Sequence, residues 1–290
     1  MATPWIYILL SSGCAVLVAH YLKRSEHQTL DTLRVLTVNY LAAFGLALVS
    51  SELFQASVWP SFTTLLPVLV LALFTGLLFI GNYFLYSKSV DRNGVGISVA
   101  AMRLSLILPV LLSVAGYGEH LDLRRWIGVL SVFSALWLLL PERITKKSVT
   151  NRTRNTWFLL LLFLMTGTGD SFLKIFETEY SMILSREQFL AAVFLVAGGA
   201  GCLLLAQSGR LSISRQEWKA GLLVGIPNYF SATLLIAALS VQSGAVVYTA
   251  ANLLTMAGAV MVGYLLWQDT VSARQWAGLV LSVLSILLLV

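Results

Sequence analysis

Two stretches of ten residues decide the fold: residues 119–128 read EHLDLRRWIG, and residues 269–278 read DTVSARQWAG. The stretches share an acidic first residue, an arginine at the sixth position and a Trp-x-Gly ending, and they lie 150 positions apart. Unrelated apolar segments rarely match in this way without a gap. The chain therefore contains an internal duplication.

Two further matches extend the duplication toward the start of each half. Residues 76–84 (GLLFIGNYF) match residues 221–230 (GLLVGIPNYF) with one insertion, and residues 21–23 (YLK) match residues 172–174 (FLK). The repeated unit therefore covers most of each half of the chain.

The composition predicts an all-α integral membrane protein. Of 290 residues, 58% are hydrophobic and 11% are charged, whereas soluble domains carry about 25% charged residues. A helix needs about 20 apolar residues to cross the ~30 Å hydrocarbon core of a bilayer. Ten stretches meet this need approximately: 4–21, 33–50, 61–86, 95–117, 123–140, 156–176, 188–206, 218–239, 245–266 and 274–290.

The basic residues predict the orientation of these stretches. Fourteen Lys and Arg residues lie in or beside the odd-numbered connections, against four beside the even-numbered ones. Cytoplasmic loops carry the excess of Lys and Arg, so we expect both termini outside and the basic linker 142–155 in the cytoplasm, as in a bacterial inner-membrane protein. The net charge of +6 then reflects topology, and we expect no nucleic-acid partner.

The linker 142–155 separates a first five-helix repeat, 1–141, from a second, 156–290. Because five is an odd number, the second repeat enters the membrane from the opposite face. The sequence thus predicts ten transmembrane helices arranged as two inverted five-helix repeats. Inverted repeats are typical of secondary transporters, which bind substrate between the repeats near the bilayer midplane.

The acidic residue followed by Arg, Trp and Gly before the last helix of each half resembles the drug/metabolite transporter (DMT) superfamily, EamA-like family. Residues 225–231 and 167–174 also look like bacterial EamA-like proteins of unassigned substrate. The resemblance implies ten helices around a central cavity, alternating access, and export or exchange of small metabolites. It also implies cytoplasmic termini, which is the reverse of the orientation that the basic residues predict.

Asp170 is the one carboxylate of thirteen that lies inside an apolar stretch. An ionisable group within the bilayer costs about 2.5–3.5 kcal/mol on insertion scales and is a functional candidate. Thr166, Asp170 and Lys174 share one helix face because four residues make roughly one turn. We expect Asp170 to bind a proton or a substrate amine; for Lys174, snorkelling from the helix end is the alternative.

Arg103 is the one cation in the middle of an apolar stretch. We expect it to hold an anionic group of the substrate, such as a carboxylate. The alternative is a fixed ion pair with Asp170 that ties the fourth stretch to the sixth.

Polar side chains in the third, eighth and ninth stretches complete the predicted substrate- or ion-binding set. In the eighth stretch Pro227 removes a backbone donor and is expected to disturb the preceding turn. The alternative for each member is a hydrogen bond that joins neighbouring helices. These candidates are Asn82, Tyr83, Asn228, Tyr229, Tyr248 and Asn252.

The competing class is an enzyme, because residues 167–170 read GTGD and resemble the motif of GxGD-type intramembrane proteases. That chemistry needs two carboxylates, and no second one lies within an apolar stretch. A non-transporting receptor or scaffold would leave the duplication unexplained. The sequence favours a transporter without a cofactor or metal, whose partners are the lipid bilayer, a small-molecule substrate such as an amino acid, and protons as the candidate coupling ion. We expect a monomer or a homodimer.

Overall fold

The computed structural model describes residues 3–51, 61–140 and 156–290, and within these ranges the chain forms helices and no strand. The linker 142–155 lies outside the described residues. Two π-helical turns, Leu112–Gly116 and Phe176–Tyr180, follow α5 and α7. The α-helices are α1 (Thr3–His27), α2 (Thr32–Ser50), α3 (Phe62–Asn93), α4 (Val95–Leu104), α5 (Ile107–Leu111), α6 (Leu123–Leu139), α7 (Thr156–Ile175), α8 (Arg186–Gln207), α9 (Arg215–Leu239), α10 (Gly244–Trp267) and α11 (Ala273–Leu289).

The chain is a multi-pass all-α membrane protein. In the described part, eight helical segments are long and apolar enough to cross a bilayer, counting α4, α5 and their π-turn as one segment and α7 with its π-turn as another. The fifth and tenth predicted stretches form α6 and α11, which have 17 residues each and span about 25 Å at ~1.5 Å per residue. The number of crossings beyond eight stays a prediction.

The fourth predicted stretch is broken between α4 and α5. Pro109 has no N–H and its ring crowds the carbonyl four residues earlier, that of Ser105. This carbonyl accepts a hydrogen bond from the Leu108 N–H instead, at 3.0 Å. Gly167 of α7 packs so closely here that a Cβ would lie 2.6 Å from the Ser105 oxygen. The break therefore brings α7 against the junction of α4 and α5.

No comparable break occurs at Pro227. Helix α9 continues through this residue from Arg215 to Leu239, because proline's fixed φ is compatible with a helix and the preceding turns pack tightly on α2. A Cβ at Gly225 would lie 2.7 Å from the Asn39 carbonyl oxygen. Pro227 lacks a backbone N–H, but it does not end the helix.

Helix packing in the two halves follows the same pattern. Most major packing pairs have a counterpart when the helices of the first half are exchanged for those of the second; the exception is α6–α10, because α11 does not pack to a similar extent on α4 or α5. The cross-half pairs are α1–α9 and α7–α3, α2–α9 and α8–α3, α1–α10 and α7–α4/α5, and the self-equivalent pairs α2–α8 and α6–α11. The halves therefore interlock along their length.

Helices α6 and α11 form an antiparallel pair. The Arg124 guanidinium at the start of α6 donates to the Leu287 carbonyl near the end of α11, at 2.6 Å. The Arg274 guanidinium at the start of α11 donates to the Trp137 carbonyl near the end of α6. Donors and acceptors both lie 150 positions apart, so each helix makes the same contact with the other.

Glycine contacts repeat the relationship. A Cβ at Gly128 would lie 3.0 Å from Leu289 of α11, and one at Gly278 would lie 3.1 Å from Leu139 of α6. Small residues allow membrane helices to approach closely. The same close approach is thus made twice, again with an offset of 150 positions.

Ion pairs show which connections share an end of the molecule. Lys23, after the membrane part of α1, pairs with Asp269 in the α10–α11 connection at 2.6 Å. Asp31, in the α1–α2 connection, pairs with Arg210 in the α8–α9 connection at 3.0 Å. We call this the Lys23 end, and the opposite end, where α7 carries Lys174, the Lys174 end.

Candidate functional site

Asp170 of α7 and Arg103 of α4 are half-buried and attract each other electrostatically. Helix α7 reaches α4 because of the glycine contact at the α4–α5 junction. Their charged groups do not form an ion pair within 4 Å. The two charges thus share one region of the membrane interior without neutralising each other by direct contact.

A chain of hydrogen bonds joins these charged residues to α10. Arg103 Nη1 donates to Asn252 Oδ1 at 3.0 Å, and Asn252 Nδ2 donates to the Tyr248 carbonyl at 3.1 Å. Tyr248 donates its hydroxyl to the main-chain carbonyl of Asp170 at 2.6 Å. Four of the residues that the sequence predicted separately therefore form one network between α4, α7 and α10.

A cavity of about 720 Å³ lies beside this network. Its lining comes from α4, α10, the end of α6 and the α10–α11 connection, so both halves contribute. Arg103 is the ninth residue of α4 and sits about 13 Å from the start of that helix. Of the ten predicted site residues, Arg103 alone lines this cavity. Apolar side chains on its walls include Val99, Met256 and Val260.

Asn82 and Thr166 form a second polar contact next to the network. Asn82 Nδ2 donates to Thr166 Oγ1 at 3.0 Å, and the threonine hydroxyl lies 3.2 Å from Asn82 Oδ1. Thr166 precedes Asp170 by one turn of α7. The pair fastens α3 to α7 and fixes the helix face that carries the carboxylate.

Three predicted residues lie away from the cavity. Asn228 Nδ2 donates to Asn39 Oδ1 at 3.1 Å and joins α9 to α2. Tyr229 is 2% exposed and belongs to the hydrophobic cluster around α2, α3 and α8. Tyr83 interacts with Thr32 at the start of α2. These contacts hold helices together, which is the alternative that the sequence left open for them.

Lys174 does not extend from the helix end into the membrane interface. Its residue is 5% exposed, and its ammonium group lies 3.1 Å from Glu119 Oε1 and 3.3 Å from Glu177 Oε2. The snorkelling alternative is wrong because Glu119 reaches over from the connection before α6. The sequence placed neither carboxylate in the site, although Glu119 belongs to the repeated stretch.

Comparison with known proteins supports the fold. No model of a known protein family matches the chain. A relative from Haemophilus influenzae (strain ATCC 51907 / DSM 11121 / KW20 / Rd), described as an uncharacterized protein, is 25% identical over 282 residues, which cover 94% of this chain and 93% of the relative. A solved structure described as "Crystal structure of protein" superimposes with a TM-score of 0.73 at 14% identity and covers 99% of this chain and 96% of its own.

Proposed function

We propose that the chain is a secondary transporter that moves a small metabolite, such as an amino acid, by alternating access with proton coupling. The observation that carries the proposal is the network of Arg103, Asn252, Tyr248 and Asp170 beside a cavity to which both halves contribute. Charged side chains inside a membrane are costly and mark substrate or proton pathways.

The repeated contacts support two inverted five-helix repeats. Contacts that recur 150 positions apart, and the antiparallel course of α6 and α11, are what a two-fold relation between the halves would produce. A two-fold axis that reverses the last helix of each half lies in the membrane plane. This is the geometry in which secondary transporters alternate between two access states, and it agrees with the resemblance to the EamA-like family.

The side chains at the cavity favour a substrate with a carboxylate and a modest apolar part. Arg103 donates a hydrogen bond to Asn252 through one nitrogen. A guanidinium has further N–H donors that can bind a carboxylate in a bidentate manner. The apolar wall from α10 suits an aliphatic or aromatic portion. Asp170, which lies beside the cavity without lining it, is then available to take up a proton.

Binding can be tested before the substrate is identified. Purified protein is heated in detergent with panels of amino acids, other monocarboxylates, amines and sugars. A ligand of the folded state raises the melting temperature by mass action, and we expect carboxylates alone to do so. Any carboxylate that raises it is loaded into proteoliposomes, where flux along a pH gradient must exceed that in empty liposomes. Stabilisation by sugars alone, or no flux of any stabilising compound, would contradict the proposal.

Orientation is a separate prediction. The basic residues predict that the Lys23 end lies in the cytoplasm, and the cavity would then open inward. After Cys14 and Cys202 are replaced by alanine, Met182→Cys, which is 96% exposed beyond the Lys174 end, should react with a membrane-impermeant maleimide in intact cells. Ser212→Cys, in the exposed α8–α9 connection, should react after permeabilisation only. The reverse pattern would place both termini in the cytoplasm.

The surroundings of Asp170 do not favour the protease alternative. The charged group that acts on this carboxylate is Arg103, a cation, whereas an aspartyl protease needs a second carboxylate that shares a proton. A receptor or scaffold would need neither this network nor a cavity between repeats.

A further inference from the structure

Two ion pairs join the halves, one at each end of the molecule. At the Lys174 end, Lys174 of the second half lies 3.1 Å from Glu119 of the first half. At the Lys23 end, Lys23 of the first half lies 2.6 Å from Asp269 of the second half. The carboxylates are 150 positions apart, and the lysines occupy the matched tripeptides 21–23 and 172–174.

The surroundings of the two pairs are equivalent as well. Lys174 lies over the ring of Tyr117 at 5.8 Å, and Lys23 lies over the ring of Trp267 at 5.0 Å. A cation over an aromatic face is attracted by the ring's quadrupole. The two rings are again separated by 150 positions, so one lysine–aromatic–carboxylate cluster is built twice.

Backbone hydrogen bonds place each carboxylate by the same turn. The Glu119 N–H donates to the Ser113 carbonyl at 3.1 Å, and the Asp269 N–H donates to the Gly263 carbonyl at 3.0 Å. Residues 113 and 263 are equivalent by the same offset. Each half therefore presents its acidic residue toward the other half in the same way.

The clusters differ in their exposure to solvent. The side chains of Lys174 and Glu119 are 7% and 16% exposed, whereas those of Lys23 and Asp269 are 35% and 53% exposed. Lys174 also has a second carboxylate, Glu177, at 3.3 Å. The ion pair at the Lys174 end, which lines a shallow open cavity of about 510 Å³, is thus buried more deeply than the ion pair at the Lys23 end.

Glu119 further docks on the N-terminus of α10. It accepts hydrogen bonds from the N–H groups of Gly244 at 3.0 Å and Ala245 at 3.4 Å, where a carboxylate is favoured by the helix dipole. The fit is tight, because a Cβ at Gly244 would lie 2.2 Å from Ser113 Oγ and 3.3 Å from Lys174 Cε. These contacts hold the start of α10 close to the π-turn Leu112–Gly116.

The equivalent docking is not made at the Lys23 end. The residue 150 positions before Gly244 is Gly94, at the N-terminus of α4, and that terminus has no side-chain cap. Asp269, the counterpart of Glu119, pairs with Lys23 and lines the mouth of the cavity instead.

We propose that Glu119 with Lys174 and Asp269 with Lys23 are two equivalent gates that close in alternation. In the observed state Glu119 is docked on α10 and the Lys174 end is shut. In the opposite state Asp269 docks on the N-terminus of α4, its pair with Lys23 becomes buried, and the pair of Glu119 and Lys174 opens to water. A buried pair is costly to break and an exposed pair contributes little. Each state has one buried and one exposed ion pair, so the two states are expected to have similar free energies. The inference rests on the proposed transport function for its purpose.

The gates can be tested by thiol labelling without any substrate. In protein free of Cys14 and Cys202 and held in lipid nanodiscs, Ser113→Cys reports on the Lys174 end, where Ser113 is fully buried. Ala259→Cys reports on the cavity at the Lys23 end. We expect a hydrophilic maleimide to label the second site readily and the first slowly.

Glu119→Gln should raise labelling at the Lys174 end about ten-fold and lower it at the Lys23 end. Asp269→Asn should leave the labelling of Ser113→Cys slow, because it weakens only the state in which the Lys23 end is closed. Lys174→Gln provides a second opening variant if Glu119→Gln does not fold, and Lys174→Arg, which keeps the ion pair, should label like the parent.

Equal effects of Glu119→Gln and Asp269→Asn at both sites would overturn the gate, since a purely structural ion pair would loosen both ends alike. Faster labelling at the Lys174 end and slower labelling at the Lys23 end in Glu119→Gln, without faster labelling at the Lys174 end in Asp269→Asn, would support the two gates. Because no ligand is added, this outcome is independent of whether a transported compound is found.

Discussion

Asp170→Asn is expected to abolish proton movement coupled to the substrate while leaving the protein folded. Asparagine keeps the size of the side chain but cannot release and rebind a proton. The hydrogen bond that Tyr248 donates goes to the main-chain carbonyl of Asp170, so the substitution leaves it in place. In proteoliposomes with an internal pH-sensitive dye, the carboxylate found by thermal shift should cause proton flux with the parent and none with the variant.

The matched control is Asp91→Asn, which removes an exposed carboxylate near the end of α3 and should leave the flux unchanged. Parent-like flux in Asp170→Asn would rule out the coupling role. The competing idea, a structural charge pair with Arg103, predicts a lower melting temperature for Asp170→Asn and its recovery when Arg103→Gln is added. Coupling predicts lost flux in both the single and the double variant.

Arg103→Gln is expected to weaken binding of the carboxylate substrate by about 10- to 150-fold. Charge-assisted hydrogen bonds contribute about 1.5–3 kcal/mol, and every 1.4 kcal/mol is roughly a factor of ten in Kd. Glutamine can still bond to Asn252, so the network can persist. Arg103→Lys should lie between the two, because it keeps the charge and loses the planar fork. Titrations that follow the melting temperature measure the change.

Arg215→Gln is the control for the loss of one positive charge, because Arg215 is exposed at the start of α9. Its affinity should equal that of the parent. If Arg103→Gln binds the carboxylate as tightly as the parent does, Arg103 is a structural residue and the substrate lies elsewhere.

The sequence identified individual members of the site because their chemistry conflicts with their surroundings. A carboxylate or a guanidinium inside an apolar stretch stands out at once, and both Asp170 and Arg103 were found in this way. Their connection could not be foreseen. Tyr248 reaches a main-chain carbonyl of α7, and which carbonyl faces a tyrosine depends on how three helices pack.

The limits of sequence reading are clearest at Lys174. Its position at a helix end suggested that its ammonium group reaches water. The sequence of α7 does not reveal that a carboxylate from the first half packs against this end of the helix. The partner, Glu119, was visible only as part of a repeat. Similarly, Pro109 carried the signal for the break in the fourth stretch, whereas Pro227 did not break α9, because a proline's effect depends on the packing around it.

The antiparallel pair of α6 and α11 bears on which conformation the protein adopts without substrate. The contacts of α6 with α11 are the same as those of α11 with α6. This pair would therefore keep its packing when the two halves exchange conformations, and the rest of the protein could move relative to it. Under the proposed alternation, two identical halves would populate both conformers equally. The conformation that is more populated without substrate is then determined by sequence differences between the halves, such as Glu119 in place of Asp269 and Tyr117 in place of Trp267.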